Sequence, residues 1–150
     1  MRYLINMQYL SKSSAQTKKI ARDLAKKIIR KRLKNTAQII ALKGELGAGK
    51  TTFIQGFIKH LCAVQKVRSP TFLLIKKYPI QKERDIFHID CYRIKNYKEL
   101  IVLGIRAVLQ NPANIVLIEW AERVQPILPK KKITVHIDHV SKNERKINIK

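Results

Sequence analysis

The stretch Gly44-Glu45-Leu46-Gly47-Ala48-Gly49-Lys50-Thr51 brings three glycines, an amine and a hydroxyl into one short segment. Glycine lets the backbone curl until successive N–H groups face a common point, and a helix that follows adds its positive end there. Such a concavity binds phosphate. The spacing Gly, four residues, Gly-Lys-Thr is that of the loop that cradles a nucleoside triphosphate. Its lysine, here Lys50, reaches the β- and γ-phosphates, and its hydroxyl, here Thr51, holds Mg²⁺. The chain has only 5 Gly, so their gathering here weighs against a merely flexible turn.

A phosphate loop of this kind needs a second metal contact, an acid at the carboxyl end of a neighbouring hydrophobic strand. Glu119 follows the continuous apolar run Ile115-Val116-Leu117-Ile118 and is the candidate. Asp90 ends the alternating segment Asp85-Ile86-Phe87-His88-Ile89-Asp90 and could orient an attacking or metal-bound water. His88 shares its face, although a lone strand histidine is more often a satisfied structural residue. Ser69-Pro70-Thr71 stands where a switch-like loop could sense the γ-phosphate, or it is simply a proline turn. Trp120, the only Trp, adjoins Glu119 and could pack beside a nucleotide, on a partner or in the core.

The elements that must position these groups follow from hydrophobic periodicity. Residues 37–42 read as the strand before the loop and 51–61 as the helix after it. Residues 3–10 read as an edge strand. Ser11 to Ser14 supply cap candidates for a helix over 15–34, with Ile20, Leu24, Ile28 and Leu33 as its apolar stripe. Residues 72–78 and 85–90 predict an antiparallel hairpin joined by a turn over 79–84. A helix broken by Gly104 is expected over 97–110, a buried strand over 115–118, and a loop or short helix over 121–129. Residues 132–138 and 144–149 form a closing hairpin. The fold class is α/β: a three-layer arrangement like that of phosphate-loop NTPases, with a mixed sheet, a parallel centre and antiparallel marginal strands.

One domain over 1–150 fits this length. No apolar run approaches a membrane span, and the N-terminal residues lack the pattern of a signal peptide. Cys62 and Cys91 have no metal spacing and read as reduced thiols of a cytoplasmic protein. The net charge of +22 points either to contact with nucleic acid or an acidic partner, or to a lysine-rich composition. The basic residues run along the whole chain without one dense arm.

Taken in order, Gly44 to Thr52, Ser69-Pro70-Thr71-Phe72, His88-Ile89-Asp90-Cys91-Tyr92-Arg93, Gly104-Ile105 and Ile118-Glu119-Trp120 resemble the small TsaE (YjeE-type) ATPases of tRNA threonylcarbamoyladenosine biosynthesis, over about residues 10 to 140. Thr17 looks like the family's threonine near the nucleotide base. The resemblance implies that ATP with Mg²⁺ is bound by Thr17, by Glu45, Leu46, Gly47, Ala48, Gly49, Lys50, Thr51 and Thr52, and by Thr71. It implies a metal held by Thr51 and Glu119, and Lys50, Asp90 and Glu119 as the catalytic set. It also implies weak hydrolysis alone, stimulation by the TsaD and TsaB proteins, and turnover that resets their complex as it threonylcarbamoylates the adenosine beside the tRNA anticodon. Contact with tRNA would be secondary and the free protein a monomer. Glu45 stands where Asp is also common, and residues 121–132 and the last hairpin are unusually Lys-rich.

Two other readings compete. A small-molecule kinase would open with the same loop but needs a lid rich in arginine, and no such cluster is seen. A non-enzymatic RNA-binding module would use the charge without ATP.

Overall fold

The computed structural model describes residues 6–31, 35–63, 66–68, 70, 74–81 and 83–150. Strand β1 (Met7–Ser11) leads into helix α1 (Ser14–Ile29), strand β2 (Gln38–Lys43) and helix α2 (Lys50–Leu61). The hairpin β3 (Ile75–Ile80) and β4 (Arg84–Asp90) follows, then two short helices, α3 (Lys98–Val102) and α4 (Ile105–Gln110). Strand β5 (Ile115–Glu119), a 3-10 segment (Ala121–Ile127) and the hairpin β6 (Ile133–His139) and β7 (Arg145–Ile149) complete the chain. All the strands join one sheet in the order β1-β7-β6-β2-β5-β4-β3.

The sheet is mixed as expected. β2 lies parallel to β5 and to β6, and β5 lies parallel to β4. The β3–β4, β6–β7 and β1–β7 pairs are antiparallel and fall at the margins. The α/β architecture with a parallel centre is therefore present, and β4 belongs to both the centre and a marginal hairpin.

Side chains alternate cleanly through the central strands, because a strand turns successive residues to opposite faces. Ile40 and Leu42 of β2 and Ile115 and Leu117 of β5 meet α1 and α2 on one face. Ile39, Ala41, Val116 and Ile118 meet α3, α4 and the 3-10 segment on the other. Phe53 and Phe57 of α2 are completely buried, each worth roughly 2 kcal/mol or more in removed apolar surface. α1 and α2 approach closely because of Gly56: a Cβ there would stand 2.6 Å from the Lys18 backbone.

Several boundaries differ from the expectations. β1 starts at Met7 among the described residues and is indeed an edge strand. α1 ends at Ile29 rather than Lys34, and Leu33 lies outside the described residues. Side chains from elsewhere take the carbonyls at its end: Arg84 Nη1 donates to Ile29 O at 2.9 Å and Gln38 Nε2 donates to Lys31 O. β3 runs through Pro79, where a turn was expected. It is the edge strand opposite β1, and an edge is where a sheet tolerates a residue with no N–H to donate. The short helices α3 and α4 break at Gly104, which holds φ 82°.

Candidate functional site

The carboxyl ends of β2, β4 and β5 carry the chemistry-bearing residues. β2 delivers the loop, β4 ends in Asp90 and β5 ends in Glu119, and Asp90 and Glu119 are register partners. The loop is held close against β6. A Cβ on Gly44 would stand 2.3 Å from the Ile137 carbonyl oxygen, so this position admits glycine alone. α2 begins directly behind Gly49, whose φ is 106°, and no side chain caps it. Its first N–H groups are thus left to the concavity of the loop.

Lys50 is buried, and its ammonium folds back onto the loop, donating to Gly44 O at 2.5 Å and Glu45 O at 2.8 Å. Its Nζ also lies 4.1 Å from the centre of the Trp120 ring, a cation–π distance. Burial pulls the Lys50 pKa below the usual lysine value, while Glu119, Glu122 and Asp90 favour the charged form.

The Thr51 hydroxyl donates to the Glu119 carboxylate, 3.1 Å from Oε2 and 3.2 Å from Oε1. The fully buried His88 stands behind Glu119, with Nε2 2.8 Å from Glu119 Oε1. Since a carboxylate only accepts, Nε2 carries the proton in this pair. His88 Nδ1 has no partner among the described residues. Asp90 is also buried, and its Oδ1 accepts the Tyr92 N–H at 3.0 Å. The donor set offered by Thr51 and Glu119 is a hydroxyl beside a carboxylate. Hard oxygen ligands of this kind suit Mg²⁺. The residues present therefore fit a Mg²⁺–triphosphate.

A cleft of about 410 Å³ opens over these groups, lined by Lys50, Thr51, Asp90, Tyr92, Glu119 and Trp120 together with the loop. Trp120 is half-buried and holds φ 57°, an unusual backbone region for a bulky residue. It stacks at a tilt on Tyr92 with ring centres 5.2 Å apart. Burial pushes the neighbouring Cys91 thiol up to about 12, so it stays protonated.

On the other side of the loop a smaller cavity of 120 Å³ is lined by Thr17, Gly47, Gly49, Thr52 and Arg145, among others. Thr17 is thus beside the loop as expected, although its hydroxyl is shared with Ser11 Oγ at 2.7 Å. Glu45 and Leu46 are in the exposed tip of the loop, while the Ala48 side chain is buried beneath it. Thr71 and Ser69 lie outside the described residues.

Arg145 was not singled out from the sequence. Its Nε donates to Ala48 O at 2.9 Å and its Nη2 to Gly47 O at 3.4 Å. Its Nη1 holds the β6–β7 turn through Ser141 O at 2.8 Å and Glu144 O at 2.9 Å. It is one arginine in a Lys-rich hairpin, 97 residues from the carbonyl it holds, so no local pattern marks it. The contact between His88 and Glu119 also joins residues far apart in the chain, and the sequence, which links His88 only to the face of Asp90, does not pair them.

A phosphate-type loop between a parallel strand and its helix, with an acid at the end of the adjoining strand, defines the P-loop NTPase-like class of α/β proteins. Among solved structures, the crystal structure of Bacillus subtilis YdiB superimposes with a TM-score of 0.74 at 26% identity, over 99% of this chain and 87% of that one. The family model described as threonylcarbamoyl adenosine biosynthesis protein TsaE matches residues 11–147. The chain belongs to the TsaE family. Similar proteins named tRNA threonylcarbamoyladenosine biosynthesis protein TsaE include that of Rickettsia bellii, 33% identical over 97% of this chain and 96% of its own. That of Aquifex aeolicus is 35% identical over 95% and 94%. That of Haemophilus influenzae is 42% identical over 69% of this chain, a match that spans 64% of the relative, slightly under two thirds of its length.

Proposed function

We propose that this protein binds ATP with Mg²⁺ and hydrolyses it in the service of tRNA threonylcarbamoyladenosine synthesis, resetting a TsaD–TsaB transferase complex between cycles. The observation that carries the reading is the meeting of Thr51 and Glu119 at 3.1 Å beside Lys50. These two oxygen groups and one ammonium line one cleft, which supports a triphosphate and its metal there. The pathway comes from the family and from the names of its members.

In this reading Lys50 leaves its two loop carbonyls for the phosphates, and Thr51 and Glu119 hold the metal. Asp90, next to Glu119 in register, positions water. The loop residues 45–49, Thr52 and Thr17 hold the nucleotide, and Thr71 reports on the γ-phosphate. Mg²⁺ supplies charge neutralisation on the phosphate oxygens. Among the described residues no helix is long and apolar enough to cross a membrane, and we assign the protein to the cytoplasm, monomeric when free.

The test is ATP hydrolysis with and without the TsaD–TsaB pair. Turnover should be weak alone and rise with the pair. Lys50→Ala should remove most of the stimulated rate, about 10²-fold or more, because a charge-assisted contact to the transferring phosphate is lost. Stimulated hydrolysis unchanged in that variant would show that the site is misassigned.

A further inference from the structure

The charge that runs along the sequence is gathered by the fold. Asp23 and Glu45 are the only acids before Glu83, and this first part of the chain supplies the whole α1/α2 layer. Lys19, Arg22 and Lys26 of α1, with Arg30 at its C-cap, recur at helical spacing and are all exposed. They run over roughly 16 Å at 1.5 Å per residue. The single acid among them, Asp23, is already held by Lys19 at 3.3 Å and Lys26 at 3.7 Å. Lys59 and His60 of α2 face this stripe across an open trough of about 630 Å³, lined also by Lys18, Lys19 and Arg22. The trough exists because Gly56 lets the two helices touch at Lys18. The positive field is felt locally: desolvation, then Lys26 and Arg22, lower the His60 pKa. The layer on the opposite face of the sheet is mixed in sign, with Glu99 and Glu122 among its basic residues.

We propose that the α1/α2 face is a binding surface for the sugar-phosphate backbone of RNA. A surface that docks protein has an apolar centre inside a polar rim. The large hydrophobic side chains that are exposed, such as Leu46, Tyr92, Val102 and Val140, all lie off α1 and α2. Rows of exposed Lys and Arg without apolar anchors neutralise phosphates and release counterions, giving affinity without sequence preference. The choice of RNA rests on the proposed role in tRNA modification.

The test compares the full chain with Lys19→Gln/Arg22→Gln/Lys26→Gln/Lys59→Gln, which keeps helix-compatible side chains. The control is Lys95→Gln/Lys98→Gln/Arg106→Gln/Lys131→Gln, which removes the same charge elsewhere. Binding of an unmodified tRNA transcript is followed over a salt series, with ATP binding measured in parallel. The first variant should lose about 10-fold or more in RNA affinity and flatten the log–log salt slope by about two to four. The control should stay close to the parent, and ATP binding should be unchanged in both. Equal losses in the two variants would overturn the proposal, since net charge alone would then explain binding. So would competition by poly-glutamate as effective as by tRNA, which would mark the face as one for acidic protein. Failure of the parent to bind tRNA overturns this surface, whereas failure to bind ATP overturns the nucleotide reading.

Discussion

On one side of the phosphate loop, Thr51, Glu119 and His88 form a chain of contacts at 3.2 Å or less, anchored in β5 and β4, and the buried Lys50 beside them is folded onto the loop carbonyls. On the other, Thr17, Thr52 and Arg145 edge a small cavity where one exposed hairpin meets α1 and α2. The first side is built on central strands with packed helices on both faces and cannot shift without moving the core. The second is braced by a single arginine that reaches over from the β6–β7 turn. The loop is thus held rigidly by central strands where charge has to be handled, and braced by Arg145 of the hairpin on the side that Thr17 and Thr52 line.

That difference predicts unequal losses. Glu119→Ala strikes the rigid side hardest. Removing the carboxylate deletes the proposed partner of Thr51 at the metal, so partner-stimulated hydrolysis should fall by about 10²-fold. Nucleotide binding in the absence of Mg²⁺ should stay close to normal. Binding lost equally with and without the metal would mean that Glu119 supports the loop rather than the ion.

His88→Ala should come next. It removes the ring nitrogen 2.8 Å from Glu119 Oε1 and leaves a buried carboxylate short of a donor, which costs about 3 kcal/mol in stability. Urea denaturation would read that loss. Activity should also fall by about 10-fold as the carboxylate loses its orientation. His88→Gln, which keeps an N–H donor, should recover part of the Mg²⁺ dependence. Recovery of stability without any recovery of Mg²⁺ dependence would make His88 a core residue only.

The rigid side was largely legible in the sequence, and for a physical reason. A glycine loop between an apolar run and a helix, and an acid that ends a second apolar run, are local patterns. Parallel packing of β2 on β5 makes them neighbours without further instruction. Lys50, Thr51, Asp90 and Glu119 all line one cleft. The braced side was legible only in part. Thr17 came from the family resemblance, and Arg145 depends on a contact that closes the chain from one end to the other. Element limits failed where tertiary contacts took over from local preference. α1 stops at Ile29, where Arg84 takes the Ile29 carbonyl and Gln38 that of Lys31 just beyond the helix, and Pro79 stays in β3 because that strand is an edge. The charge was counted correctly but not placed, since the sequence does not reveal that α1 and α2 would form one layer.

Arg145→Ala tests the braced side and should give the smallest loss. The guanidinium donates to Ala48 and Gly47 in the loop and to Ser141 and Glu144 in the turn. Removing it leaves those carbonyls to water and lets the loop and hairpin separate. A charged hydrogen-bond donor of this kind contributes about 1.5 kcal/mol, so KM for ATP should rise roughly 10-fold with kcat little changed. Arg145→Lys keeps a donor but not the fork that spans loop and turn, and should fall between the two. The nature of the loss distinguishes bracing from direct contact. If Arg145 sets the shape of the loop, binding of ATP and of inorganic triphosphate should weaken by the same factor. A loss confined to ATP would show that Arg145 touches the nucleoside. The cavity beside Thr17 would then select the base, and the hairpin would no longer be a brace alone.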